Sequence, residues 1–408
     1  MMRAFVFPGQ GAQAVGMGRD LAEGWPAAAS VFEEVDAALG EALSELMWEG
    51  DAKTLTLTAN AQPALMAMSM AVMAALRAEG VTVEDAAYVA GHSLGEYSAL
   101  CAAGAIGLGD AARLLRRRGR AMQEAVPVGE GAMAAVLGLG LDEVQEVAGA
   151  AAEREVCAAA NDNDPGQVVV SGHRAAVARA VELAKARGAK RAVMLPVSAP
   201  FHCALMQPAA EVMEAALDEV EIVEPKVPVV ANVKAEAVRE PGEIRALLVR
   251  QVTAPVRWRE SVAWMAGKGV SEIWEIGAAA SGPNQRVAQS RYCSSIHASR
   301  FIGSSPVGGE LVVPRDQVMR ESAWVFAPSA RVRQCLAIRP WQLLERAAVT
   351  SAKMRRISSW GWARPQASSS QVPGHFTRSG LSSSKPSASS HRPKNGTFDG
   401  STSSNSAG

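Results

Sequence analysis

Cysteine is scarce in this sequence, with 5 residues among 408. The cysteines have neither the spacing of metal ligands nor the density of a disulfide framework, since they stand far apart at Cys101, Cys157, Cys203, Cys293 and Cys335. This argues against a small disulfide-stapled domain and against a zinc site. A reducing, cytoplasmic location is therefore predicted.

Long apolar runs are also missing from the sequence. The apolar stretch 4–7 near the N-terminus is too short for a signal peptide. No stretch resembles the roughly 18 consecutive apolar residues that would span a bilayer. The sequence therefore predicts a soluble protein that does not bind a membrane.

Net charge is absent overall, because 41 basic residues balance 41 acidic ones, but the charges are unevenly distributed. Residues 279–408 contain 17 basic and 5 acidic residues together with 26 serines. This composition predicts a disordered tail. The abrupt change also suggests a disrupted reading frame or foreign sequence, a hypothesis that one undisturbed frame and a full-length product would refute. No aromatic-basic motif accompanies the tail's charge, so nucleic-acid binding is not expected.

The chain is organised around residues 86–103. A small, apolar run ends at Gly91 and a helix-prone segment begins at Leu94, which predicts a strand, a tight turn and a helix. Residues 91–95 fit the pattern G-x-S-x-G, in which a serine is held on a strained turn at the carboxyl end of a strand. Ser93 is thus a candidate nucleophile. The alternative is that Ser93 only caps the helix.

The remaining pattern predicts an α/β protein with two parts. Strands alternate with helices before residue 126 and after residue 197, which indicates a parallel sheet. Residues 132–195 instead follow the order β-α-β-β-α-β, typical of a ferredoxin-like unit. We therefore expect a body formed by 1–126 and 197–278, an inserted subdomain at 127–196 and the tail at 279–408. The apolar segment 61–79, with Asn60 as its cap, is predicted to be a buried helix beneath the turn.

Histidine is scarce too, and only His92, His173 and His202 precede the tail as candidate bases for Ser93. The side chain of His92, next to Ser93, is expected to point away from it. His173 opens a predicted helix and is better explained as a capping or surface residue. His202 lies in a proline-containing loop, where an imidazole can be held rigidly, so it is the preferred base. A buried structural histidine is the alternative.

Several motifs together resemble malonyl-CoA:acyl carrier protein transacylase of bacterial fatty acid synthesis. The resemblance runs in register over about residues 4–277 and is carried by residues 7–11, 91–97, 118–125, 161–172, 198–206 and 249–251. It implies an α/β-hydrolase-like body with an inserted ferredoxin-like subdomain, and a cytoplasmic monomer without a cofactor. Malonyl-CoA and acyl carrier protein are the implied partners.

The resemblance also implies roles for individual residues. Ser93 would be the nucleophile and His202, oriented by a backbone carbonyl, the general base of a ping-pong transfer through a malonyl-serine ester. The backbone N–H groups of Gln10 and Leu94 would form the oxyanion hole. Two further side chains would complete the site, because Arg118 would hold the malonyl carboxylate and Gln251 would contact the histidine region.

Neighbouring basic residues have less specific interpretations. Arg116 and Arg117 are expected on a solvated helix face, with docking of the acidic carrier protein as the alternative. A second candidate docking patch lies on the inserted unit and consists of Lys185, Arg187, Lys190 and Arg191.

The chain departs from the family after residue 277. A glycine-lysine turn and a closing amphipathic helix are expected there, but the sequence continues differently from Ala278 to Asn284.

The sequence leaves open two alternative functions from other classes. A serine esterase or thioesterase would need a triad carboxylate between Ser93 and His202 in chain order. An inactive carrier-protein-binding module would bind without forming an acyl-enzyme.

Overall fold

The computed structural model describes residues 2–197 and 199–278, together with the backbone of residues 298–302. The predictions of disorder and of a disrupted frame for the rest of 279–408 lie outside the described residues. Within that segment, residues 298–302 form a strand that pairs in parallel with the strand at residues 270–276.

The mixed α/β architecture with a parallel sheet is confirmed. The main sheet has six strands, which are β1 (Met2–Phe7), β2 (Tyr88–Gly91), β7 (Val229–Val230), β8 (Ala237–Val238), β9 (Val270–Ile276) and β10 (Ala298–Ile302). They lie in the order β10-β9-β1-β2-β7-β8, and every described pair is parallel except β7 with β8. The carboxyl ends of β1 and β2 lie side by side, since Phe7 pairs with Gly91.

Ten helices of the described residues belong to this body. They are α1 (Arg19–Gly24), α2 (Pro26–Leu39), α3 (Leu43–Glu49), α4 (Ala52–Thr56), α5 (Thr58–Ala78), α6 (Leu94–Ala102), α7 (Leu108–Glu124), α10 (Gln207–Asp218), α11 (Pro241–Gln251) and α12 (Trp258–Gly267). The predicted helix at 61–79 and the predicted helix that begins at Leu94 are present as α5 and α6.

Helix α5 is the central buried helix that the sequence predicted. Its Met66, Met68 and Met73 are buried in the main hydrophobic core. The predicted cap is wrong, because the helix begins at Thr58 and Asn60 lies inside it, where its side chain donates to the Thr54 carbonyl.

Helix α5 also corrects the expectation that no segment is apolar enough to span a bilayer. It has 21 residues, and a window of 18 of them has a mean hydropathy of 1.3, so by length and composition the helix could cross a bilayer. That window is 83% buried inside the protein, however, so α5 is a core helix.

A second sheet is formed by residues 131–194. Its elements follow the predicted order as β3 (Gly131–Leu137), α8 (Leu141–Ala152), β4 (Cys157–Asp164), β5 (Gln167–His173), α9 (Arg174–Ala186) and β6 (Arg191–Met194). The strands lie in the order β4-β5-β3-β6 and all three pairings are antiparallel. This sheet and its two helices have a separate small core of valine and alanine side chains. An ion pair of 2.8 Å between Asp162 on β4 and Arg259 on α12 joins it to the body.

Candidate active site

The predicted strand, tight turn and helix are present around Ser93. Strand β2 ends at Gly91, α6 begins at Leu94, and Ser93 between them has a φ of 53°. A Cβ on Gly91 would lie 1.9 Å from the Gly95 backbone, and a Cβ on Gly95 would lie 2.4 Å from the Phe7 carbonyl oxygen. Glycine is therefore required at both positions by the close approach of β1, β2 and α6.

The Ser93 hydroxyl faces His202. The distance from Ser93 Oγ to His202 Nε2 is 2.8 Å, and His202 Nδ1 lies 2.8 Å from the backbone carbonyl oxygen of Gln251. Because a carbonyl can only accept, Nδ1 carries the proton and Nε2 offers its lone pair to the hydroxyl. Among the described residues, the Ser93 side chain makes no capping bond to α6, which weighs against the capping alternative.

His202 is held in its neutral form. The side chain is buried, and this burial lowers its pKa to about 3, with the charge of Arg118 acting in the same direction. A neutral imidazole with a free lone pair can accept the proton of an attacking hydroxyl. The pair can thus perform nucleophilic chemistry of the serine-histidine type.

The other two candidate histidines have different partners. His92 Nε2 lies 2.9 Å from Asn163 Oδ1, and the ring packs edge-on against Trp258. His173 Nδ1 accepts the backbone N–H of Val156 at 2.9 Å. Neither of these contacts involves Ser93, as the sequence predicted.

Arg118 brings a buried positive charge to the nucleophile. Its Nη2 lies 3.1 Å from Ser93 Oγ and 2.8 Å from Gln251 Oε1, and its Nη1 donates to Gln62 Oε1 at 2.7 Å. The side chain is 1% exposed, and burial lowers its pKa. Within residues 2–197 and 199–278 it forms no salt bridge. A buried guanidinium with only neutral hydrogen-bond partners is suited to receive an anionic group.

The neighbouring arginines of α7 point elsewhere. Arg117 is partly exposed and pairs with Glu219 at 2.5 Å, in agreement with a solvated face. The same prediction is wrong for Arg116, which is 6% exposed. Its guanidinium donates to the Ala59 carbonyl at 2.8 Å and pairs with Glu41 at 2.7 Å, because the start of α5 packs over this part of α7.

Gln251 joins the base to the arginine. It is the last residue of α11 and is fully buried. Its backbone carbonyl orients His202, while its side-chain oxygen accepts from Arg118. Its Nε2 donates to the Ser93 carbonyl at 3.0 Å and to Glu96 Oε2 at 2.7 Å. The sequence predicted its contact with the histidine region but not its contact with Arg118.

The sequence analysis missed Asn232 and Glu96, which lie behind the turn. Asn232 accepts the Ser93 N–H at 2.8 Å and donates to the Gly91 carbonyl at 2.7 Å. Glu96 Oε2 accepts the backbone N–H of Asn232 at 3.1 Å. Asn232 follows β7 at the carboxyl edge of the parallel sheet, and this position could have drawn attention to it. Glu96 lies within the motif at residues 91–97, but only burial distinguishes it from an exposed helix residue.

Gln10 and Leu94 lie on the two segments that flank Ser93. Leu94 is the first residue of α6, so its N–H has no acceptor within the helix. Gln10 follows β1, and its side-chain oxygen accepts from Thr58 Oγ1 at 2.8 Å. The two segments are held together where the His92 N–H donates to the Phe7 carbonyl at 3.0 Å.

Known proteins share this chain's sequence and fold. The family model of the acyl transferase domain matches residues 4–278. A malonyl CoA-acyl carrier protein transacylase of Bacillus subtilis is 48% identical over 275 residues, which cover 67% of this chain and 86% of that protein. The Escherichia coli K12 protein of the same name is 48% identical over 274 residues, 67% of this chain and 88% of that protein.

This chain belongs to the acyl transferase family. Its relatives within that family are the malonyl CoA-acyl carrier protein transacylases.

Solved structures of this family have the same fold. The acyl-carrier-protein S-malonyltransferase of Bartonella henselae is 53% identical, with a TM-score of 0.71 over 74% of this chain and 96% of that one. A malonyl-transacylase in complex with a type II PKS acyl-carrier protein is 40% identical, with a TM-score of 0.70 over 74% of this chain and 96% of that one. The acyl transferase match of this chain ends at residue 278.

Proposed function

We propose that this chain transfers the malonyl group from malonyl-CoA to the phosphopantetheine thiol of acyl carrier protein, as an S-malonyltransferase of fatty acid biosynthesis. The observation that carries this proposal is the 3.1 Å separation of Arg118 Nη2 from Ser93 Oγ. A buried guanidinium beside the nucleophile selects an acyl group that carries its own carboxylate, and it can bind that carboxylate through two parallel hydrogen bonds.

The first half-reaction forms a malonyl-serine ester. Ser93 Oγ attacks the thioester carbonyl while His202 Nε2 takes the hydroxyl proton. The resulting oxyanion is held by the backbone N–H groups of Gln10 and Leu94, at the end of β1 and the start of α6. The C–S bond then breaks, His202 returns the proton to the leaving thiolate, and free CoA departs.

The second half-reaction reverses these steps with a new thiol. His202 removes the proton from the phosphopantetheine thiol, the thiolate attacks the ester, and Ser93 recovers the proton when the C–O bond breaks. No cofactor takes part in these steps.

The carrier protein is acidic in this proposal, and its candidate docking surfaces remain Arg117 on α7 and the basic patch of the inserted unit. Within that patch, Lys185 pairs with Glu182 and Arg187 with Glu146, which reduces its net charge.

The domain organisation supports this assignment. We propose an α/β-hydrolase-like body at 1–126 and 197–278 that carries the nucleophile and the base. The four-stranded antiparallel unit at 127–196 is then a ferredoxin-like subdomain inserted into it. The tail at 279–408 takes no part in the chemistry. A cytoplasmic monomer is the form in which we expect the enzyme to act.

Two alternatives make different predictions. An esterase or thioesterase would release the acyl group to water, but His202 Nδ1 faces a backbone carbonyl, where a hydrolase triad has a carboxylate. Arg118 also lies beside the nucleophile, and an uncharged ester has no carboxylate that its guanidinium could bind. An inactive carrier-protein-binding module would form no acyl-enzyme at all.

Intact mass spectrometry after mixing with malonyl-CoA tests the proposal. The wild-type chain should gain the mass of one malonyl group, and Ser93→Ala should gain none. Adding a phosphopantetheine-bearing acyl carrier protein should then remove the adduct and transfer it to the carrier. A folded wild-type sample without an adduct would instead favour the binding module, and loss of the adduct to water alone would favour the esterase.

A further inference from the structure

Glu96 is a buried acid that the proposed chemistry does not use. It is the third residue of α6 and is 3% exposed. Its Oε2 accepts two hydrogen bonds, from Gln251 Nε2 at 2.7 Å and from the Asn232 backbone N–H at 3.1 Å. Burial of a carboxylate is costly unless its partners are well placed. The position of Glu96 therefore calls for a function.

The contact with Gln251 determines which way that amide points. A carboxylate accepts but cannot donate, so the amide nitrogen must face Glu96. The amide oxygen then faces Arg118, whose Nη2 donates to it at 2.8 Å. In the reversed orientation an amide N–H would face the guanidinium and the amide oxygen would face the carboxylate. Both contacts would be repulsive.

The contact with Asn232 reaches the nucleophile by a second route. The Asn232 side chain accepts the Ser93 N–H and donates to the Gly91 carbonyl, so it braces the turn on both sides. The Glu96 carboxylate accepts the backbone N–H of Asn232 and so fixes the position of Asn232. Because the same carboxylate oxygen binds both partners, Gln251 and Asn232 are fixed relative to each other and to the turn.

We infer that Glu96 is a positioning residue, whose carboxylate sets the orientation of the Gln251 amide and thereby aims Arg118 at the carboxylate of the acyl group. This inference rests on the proposed function, because it assigns Arg118 to acyl recognition. Glu96 acts through Gln251. Its loss should therefore reduce selection for a carboxylated acyl group more than it reduces acyl transfer in general.

The test compares malonyl-CoA with acetyl-CoA, which lacks the carboxylate, at pH 8, where Glu96 is largely ionised because its pKa is about 7. For Glu96→Met, which removes both acceptor oxygens, we expect kcat/KM for acylation by malonyl-CoA to fall about tenfold or more, mainly through KM, because the Gln251 amide loses the acceptor that orients it. Acylation by acetyl-CoA should change by less than about threefold, since it does not use Arg118. The malonyl-to-acetyl ratio should therefore fall. A ratio that stays at the wild-type value would overturn the inference.

Glu272→Met is the matched control. Glu272 is another buried glutamate, 1% exposed on β9, where it pairs with Arg3 at 2.9 Å. Its substitution also removes a buried carboxylate and should lower stability, but it should leave the malonyl-to-acetyl ratio unchanged. An equal loss of the ratio in both variants would mean that Glu96 has only a structural role.

A double-mutant cycle tests whether the effect passes through Gln251. In a Gln251→Met background, Glu96→Met should cause no further loss of selectivity, whereas independent effects would add. A crystal structure of Glu96→Met gives a readout that needs no activity. It should show Gln251 Oε1 withdrawn from Arg118, and an unchanged contact would contradict the inference. Absence of a malonyl adduct on the wild-type chain would refute the proposed function instead, so the two failures are distinguishable.

Discussion

Ser93 and His202 are 109 residues apart in sequence, yet their Oγ and Nε2 atoms lie 2.8 Å apart and both residues have a positive φ. Their φ angles are 53° and 59°. Non-glycine residues in this region cost about 1–3 kcal/mol each and persist only where the surroundings hold them. Here the hydrogen bonds of Asn232 hold Ser93 and the Gln251 carbonyl holds the His202 ring. The nucleophile and its base are thus fixed by neighbouring segments before a substrate binds.

Replacing His202 should abolish most acylation. In His202→Ala the Ser93 hydroxyl loses its proton acceptor, so the rate of malonyl-serine formation should fall by about 10²–10⁴-fold. Quenched-flow mixing with malonyl-CoA followed by intact mass measurement gives this rate. His173→Ala is the control, because the His173 ring accepts from the Val156 backbone in the second sheet and does not contact Ser93. Its rate should stay within about twofold of wild type. A His202→Ala rate equal to that of the control would exclude His202 as the base.

Arg118 should not tolerate replacement by lysine. Arg118→Lys keeps a positive charge but loses the planar fork that reaches Gln62 and Gln251 and that binds the acyl carboxylate in the proposed function. We expect kcat/KM for malonyl-CoA to fall by about 10–100-fold, chiefly through KM. Steady-state assays with a saturating carrier protein measure this change.

Arg117→Lys is the control for that measurement. Arg117 is exposed and its ion pair with Glu219 contributes at most about 1 kcal/mol to stability. Its substitution should leave acylation by malonyl-CoA nearly unchanged. A larger effect at Arg117 than at Arg118 would move acyl recognition to the outer face of α7 and contradict the proposed site.

The sequence was sufficient for the parts of the site that depend on local patterns. The glycines at 91 and 95 predict a tight turn because their spacing matches one close approach of strand and helix, and the structure contains that turn. The network behind the turn could not be predicted in this way. Asn232 binds Ser93 across 139 residues, and nothing local to Asn232 specifies that partner. Arg116 was misjudged for the same reason, since its burial depends on the start of α5 packing over α7.

Unfolding at different pH values should report the buried Glu96. Burial raises the pKa of Glu96 from its usual 4.5 to about 7, and its hydrogen bonds and the Arg118 charge only partly offset this. Between these two values the folded state binds more protons than the unfolded state, so the contribution of Glu96 to stability falls as pH rises from about 4.5 to 7. The loss is on the order of 3 kcal/mol at most.

Glu96→Gln lacks this titration and provides the reference. Urea unfolding of both proteins should be compared at pH 5, 6, 7 and 8, with pH values chosen to cover roughly the interval over which the group titrates. The free energy of unfolding of the wild type, relative to Glu96→Gln, should decrease along this series. A difference that stays constant or increases would mean that Glu96 is ionised throughout, with an ordinary pKa.

Gly91 should not accept a side chain. In Gly91→Ala the new Cβ would lie 1.9 Å from the carbonyl carbon and oxygen of Gly95, both of which are backbone atoms that cannot rotate away. The turn must open, which should lower the free energy of unfolding by at least about 2 kcal/mol. Acylation should fall as well, because Ser93 moves with the turn.

Gly149→Ala is the matched control for this change. Gly149 lies in α8, and in the part of the chain that the structure describes no heavy atom outside the local helix backbone would lie within 4 Å of its new Cβ. Alanine favours the helix, so this variant should be about 0.5–1 kcal/mol more stable than wild type. Urea unfolding measures both variants, and malonyl adduct formation checks the site. If Gly91→Ala unfolded like Gly149→Ala and still acylated at the wild-type rate, the close packing of β2 against α6 would not be what holds Ser93 in place.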